Sequence, residues 1–106
     1  MLLSESFRLA GEAWVDADAA ARVLEEAKST VFAQRCNKLI AENFGLAMNR
    51  IELIAKADPS WRVYLEDMIA ARTKANMLKV QLEYLRMRAS EQQSAEASKR
   101  AEMRLT

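Results

Sequence analysis

Apolar residues recur at intervals of three and four along nearly the whole chain, and that period belongs to helices. The clearest run is Tyr64, Met68, Ala71, Ala75, Leu78, Leu82, Leu85 and Ala89. It reads as a heptad-like seam on a long helix that opens at Pro59 and runs to about residue 90, or as far as 100. An earlier stretch keeps the spacing with smaller side chains: Ala13, Ala17, Ala20, Leu24, Ala27 and Val31. Beyond Val31 the stripe widens to Phe32, Cys36, Leu39, Ile40 and Phe44, so the later half of this first helix is expected to be the more deeply buried. Its start falls between Ser4 and Asp18, with Gly11 dividing a frayed leader, residues 1–12, from the main helix.

Between the two long elements, Leu46 to Ala57 reads as a short helix contributing Ile51, Leu53 and Ile54, with Asn49 and Glu52 spaced as a capping box. Gly45 suits the left-handed position after a helix end. Asp58 and Pro59 read as N-cap and first helical residue. No period-two run and no Asn-Gly or Asp-Gly turn points to a strand. The expected fold is all-α: one domain spanning residues 1–106, an antiparallel helical hairpin of two long helices with a short intervening helix. A lone hairpin is not expected to cover Val31, Leu78, Leu82 and Leu85 together. Those four are the candidate oligomer interface, a coiled-coil-like seam between copies. Residues 91–106 form a polar tail, either helical or disordered, because they offer little to bury.

Composition removes most chemistry. The 106 residues include no histidine, one cysteine, one proline and two glycines. A cysteine nucleophile needs a base, which histidine usually supplies. Cys36 lies among Phe32, Leu39 and Ile40, where a thiol is a small core hydrophobe. Neither Glu-x-x-His nor Cys-x-x-Cys occurs. Asp16/Asp18 and Glu25/Glu26 are too close in sequence to face each other on a helix. No enzymatic, cofactor or metal site is therefore expected. A single cysteine fits a reducing compartment. No apolar run approaches the ~20 residues of a membrane span, and Met1 to Glu5 lack the basic start of a signal peptide. The expected location is the cytoplasm.

Lys and Arg number 16 against 15 Asp and Glu, for a net charge of +1. Residues 1–69 carry 8 basic and 11 acidic groups, and residues 70–106 carry 8 basic and 4 acidic. Folding the halves together is expected to set Asp16 and Asp18 near Arg86 and Arg88, and Glu25 and Glu26 near Lys79. Arg72, Lys79 and Arg86 recur every seven residues, with Arg100 two heptads further on. This stripe reads either as charges flanking a helical interface or as a candidate nucleic-acid contact. The balanced net charge favours the former, as does Tyr84 being the only aromatic past Tyr64. Lys28 and Arg35 edge the first helix's stripe, where such side chains either lay their stems over apolar surface or set an interfacial ion pair. Trp61 is expected to pack on the short helix. The alanine-rich stretch after Trp14 offers it little to pack on.

Residues 20–104 resemble a family of small phage and prophage helical proteins of unknown function whose genes accompany recombination genes. The similar features are the helix with Lys28 and Arg35, the segment Asn49-Arg50-Ile51-Glu52-Leu53-Ile54-Ala55, the start Asp58-Pro59-Ser60-Trp61 and the closing Arg100-Ala101-Glu102-Met103-Arg104. The resemblance implies a phage setting, hence the cytoplasm of a bacterial host cell, and an accessory role in DNA recombination or replication. The expectation is a non-enzymatic oligomerisation or adaptor protein whose partner is a phage DNA-processing protein. A direct nucleic-acid binder and a structural phage component are the alternatives.

Overall fold

Three chain signals set the helix boundaries of the computed structural model, which describes residues 2–105. Helix α1 spans Leu3–Glu42, α2 Met48–Ala57 and α3 Pro59–Leu105. At the end of α1 the backbone N–H and the side-chain Nδ2 of Asn43 both donate to the Leu39 carbonyl, at 2.8 and 3.1 Å. Gly45, at φ +92°, then turns the chain in a conformation that costs glycine little. Asp58 caps α3: its Oδ1 accepts from the Ser60 N–H at 2.8 Å and the Ser60 hydroxyl at 2.6 Å. Pro59, with no N–H to leave unpaired, takes the first helical position.

The expected capping box does not form. Helix α2 starts one residue before Asn49, with Ala47 as its N-cap and no side-chain cap bond, and Asn49 Oδ1 accepts from the neighbouring Arg50 N–H instead. Nor is there a separate leader: α1 is continuous through Gly11 from Leu3. Helix α3 runs unbroken to Leu105, so the polar tract after Ala89 is helical and exposed.

Helices α1 and α3 pack antiparallel along most of their length. The molecule measures 89 × 20 × 17 Å, with a radius of gyration of 24.2 Å. A compact domain of this length would have a radius near ~13 Å, so the chain is a rod. The α3 seam is the expected one: Ala75 and Leu82 are buried, while Tyr64, Met68, Ala71, Leu78, Leu85 and Ala89 are half-buried. On α1 the inward row is Leu3, Phe7, Trp14, Ala17, Ala21 and Leu24. Ala13 and Ala20, expected inside, are exposed, and Trp14 and Ala21 take their places. Ala21 and Ala75 are fully buried, and side chains this small let the two helix axes approach closely. Gly11 faces the same seam, where a Cβ would make only an ordinary contact with Leu82 Cδ1 at 3.9 Å.

A three-helix contact closes the turn end. Cys36, Ile51 and Ala55 form a buried cluster flanked by Phe32 and Leu39. Trp61 packs on α1: its ring lies 5.0 Å from Phe32 and is stacked 5.4 Å from Tyr64. Of the apolar residues of α2, Ile51 is enclosed while Leu53 and Ile54 face outward. Among the described residues no helix is long and apolar enough to cross a membrane.

Candidate interaction site

Polar contacts between the long helices concentrate at two arginines. Arg72 of α3 reaches across to α1 and grips Glu25 with two bonds, Nε to Oε2 at 2.9 Å and Nη2 to Oε1 at 2.7 Å. Its Nη1 donates to Asp18 Oδ1 at 2.8 Å, while Arg22 Nε lies 3.1 Å from the other Asp18 oxygen. Asp18 and Glu25 are seven residues apart on one face of α1, which is why a single planar guanidinium serves both. Hydrogen bonds from Arg72 hold both carboxyls below their ordinary values, against a smaller opposing effect of desolvation. The same bonds raise Arg72 further above its already high range.

Arg35 is the second tether. Its Nη1 donates to the Ser60 hydroxyl, its Nη2 lies 3.5 Å from the Ser60 carbonyl, and its guanidinium sits 5.9 Å from the Trp61 ring centre. The Ser60 hydroxyl in turn donates to Asp58, so Arg35, Ser60 and Asp58 form a relay tying α1 to the start of α3. Arg35 thus joins the helices rather than only covering apolar surface, whereas Lys28 is exposed. Tyr64 donates to the Leu24 carbonyl at 2.5 Å, a third crossing between the helices.

The expected charge register is displaced by one heptad at Glu25, which meets Arg72 in place of Lys79. Asp18 likewise meets Arg72 rather than Arg86 or Arg88. Asp16 does share a groove with Arg86, lined also by Phe7, Glu12, Trp14 and Leu82. The basic stripe does not stand as one free surface. Arg72 is occupied, Arg86 lies beside acidic residues, and Lys79 and Arg100 remain exposed. The candidate oligomer residues Val31, Leu78, Leu82 and Leu85 all lie in the intramolecular seam. Leu82 is buried there and the other three half-buried, so the hairpin covers more of the set than expected.

Exposed apolar surface lies elsewhere. At the turn end Phe44 is fully exposed, Leu53 is 63% and Met48 55% exposed, with Ile40, Leu46 and Ile54 nearby in sequence. On α3, Met77, Val80, Tyr84 and Met87 point away from α1. Of the two sets only the one on α3 was legible in principle. Ile40 and Phe44, expected in the buried stripe of α1, are exposed, since α1 ends at Glu42 and carries Phe44 past the packed helices; the α3 residues form a second three-and-four repeat opposite the seam.

Acid should loosen the Arg72 clamp. The carboxyl pKa values are lowered on folding, so their contribution is complete above the ordinary values of 3.8 and 4.5 and is lost as pH falls through the lowered ones. Between about pH 5 and 3 the wild-type melting temperature should therefore fall, and Arg72→Met should flatten that fall by removing the hydrogen-bond donor. Asp58, lowered by its bonds from Ser60, leaves a residual slope in both proteins. Identical slopes would show that the clamp contributes nothing to stability. No family model, no curated protein and no solved structure matches this chain.

Proposed function

We propose that the chain is a non-enzymatic helical assembly protein of adaptor type, which oligomerises and holds a partner protein at the turn end of its rod. The exposed apolar side chains there carry this reading, above all Phe44 and Leu53. Large apolar groups left in water on a rod of otherwise mixed charge are the chemistry of a protein-docking surface. Direct nucleic-acid binding has less support, because Arg72 of the basic stripe is held by Asp18 and Glu25. The bacterial cytoplasm as setting and a phage DNA-processing protein as partner rest on the sequence resemblance.

Affinity capture from a prophage-bearing lysate tests the reading. The wild-type chain should retain a protein that the doubly substituted Phe44→Ser, Leu53→Glu chain loses, with helicity by circular dichroism unchanged. Equal capture by both chains would remove the turn end as the docking site. Retention of nucleic acid that survives moderate salt and needs Lys79, Arg86 and Arg100 would move the reading to direct binding.

A further inference from the structure

Helix α3 is apolar on two opposite sides. Ala75, Leu78 and Leu82 face α1. A second row, Ala70, Thr73, Met77, Val80, Tyr84 and Met87, repeats at three and four and lies on the far side of the helix at 3.6 residues per turn. Met77, Val80, Tyr84 and Met87 are 68, 66, 55 and 59% exposed. The row is graded in size, with two small residues at one end, Met77 and Val80 in the middle, and two large ones at the other end. A shallow recess runs from the small end to the middle of the row, lined by Ala70, Thr73, Lys74, Met77, Leu78 and Gln81.

That gradient selects an occupant. A second α3 laid antiparallel, with its two-fold axis between Met77 and Val80, sets Tyr84 against Thr73 and Met87 against Ala70, large into small at each layer. The large residues of each copy then fill the recess of the other. A parallel copy would set Ala70 on Ala70 and Tyr84 on Tyr84, leaving a gap at one end and crowding at the other. Charge agrees with the antiparallel choice. Asp67 and Arg88 flank the row at opposite ends, and among the described residues neither has a salt bridge within the chain. The two-fold brings Asp67 beside Arg88 of the partner subunit, twice per dimer. Lys74 meets Gln81 of the partner subunit, so no like charges face each other beside these layers.

We infer that the outer face of α3 is the self-association surface of this protein, joining two copies antiparallel through Ala70, Thr73, Met77, Val80, Tyr84 and Met87. The inference rests on the oligomerisation half of the function proposed above and moves its interface to the side of α3 opposite the expected seam. Because the contact is isologous, it closes at two copies and sets the two turn ends on opposite sides of the two-fold axis.

Sedimentation equilibrium of the full chain at low salt tests it. The wild type should be a dimer. Met77→Glu and Val80→Glu should each raise the dissociation constant ~100-fold or more, because every dimer then buries two charges. Their circular dichroism should stay helical, since both residues are exposed in the monomer. Asp67→Arg or Arg88→Asp alone should weaken the dimer ~10-fold by turning two attractions into repulsions. The two together should restore it. In a parallel dimer Asp67 would face Arg62 and Arg88 would face Glu83, so the double exchange would compound the loss and overturn the proposal. A monomeric wild type, or a dimer indifferent to Met77→Glu, would overturn it too. Capture at the turn end is read independently, because Phe44 and Leu53 lie outside this face.

Discussion

Trp61→Ala should lower the stability of the hairpin by about 3–5 kcal/mol, the largest loss expected from any single truncation in this chain. Trp61 is 7% exposed and lies where the α1 and α3 ring systems meet. It stacks on Tyr64 at 5.4 Å, packs on Phe32 at 5.0 Å and lies under the Arg35 guanidinium. Removing it leaves a hole that neighbours on two rigid helices cannot close, and strips the apolar cover from the Arg35–Ser60 tether. In a chain of this size such a loss should lower the melting temperature by well over ~10 °C. Trp61→Phe, which keeps a ring in the same place, should lose much less. A Trp61→Ala chain melting within about 2 °C of wild type would mean that the aromatic cluster is not a source of stability.

Leu82→Ala should follow at about 2–5 kcal/mol. Leu82 is 8% exposed and packs against α1 at Gly11, which offers no side chain of its own to fill the space vacated. Met77→Ala on the same helix is the matched control, since its side chain is 68% exposed and should cost less than ~0.5 kcal/mol in the monomer. Thermal melts at a concentration below dimerisation separate the two effects. Equal losses at Leu82 and Met77 would mean that the helix is rotated from the orientation described.

The α3 seam was legible because its leucines stand among polar neighbours at a regular interval. The α1 stripe was not, for the opposite reason. Ala13, Ala17, Ala19, Ala20 and Ala21 surround the helix, and alanine hydropathy does not say which one faces inward. Trp14 decides it, since a ring that size needs the seam. The charge pairing slipped because α3 starts beside Arg35 rather than opposite the end of α1 at Glu42, so its residues meet α1 about a heptad sooner than a symmetric fold-back predicts. The Asn49–Glu52 spacing suggested a cap, but the helix start at Met48 puts Asn49 inside the first turn. Arg72 was legible as a member of a repeat but not as an interhelical clamp, because its acceptors lie 47 and 54 residues away. The outer row of α3 was present in the sequence as a second repeat. A reading that assigns each helix one apolar face passes over it.

The rod geometry also orders the chain in time. Each turn of α1 touches only the turn of α3 opposite it, so the hairpin closes like a zipper. The crossings nearest the turn close the shortest loops: Arg35 and Ser60 are 25 residues apart, Tyr64 and Leu24 40, and Arg72 and Glu25 47. Shorter loops lose less chain entropy on closing, so pairing begins around Phe32, Ile51 and Trp61 and travels toward Leu3 and Ala89. Opening runs the other way. The arms separate first and reseal on a core that never came apart, so the surface carrying Phe44 and Leu53 is the first part of the molecule to form and the last to be lost.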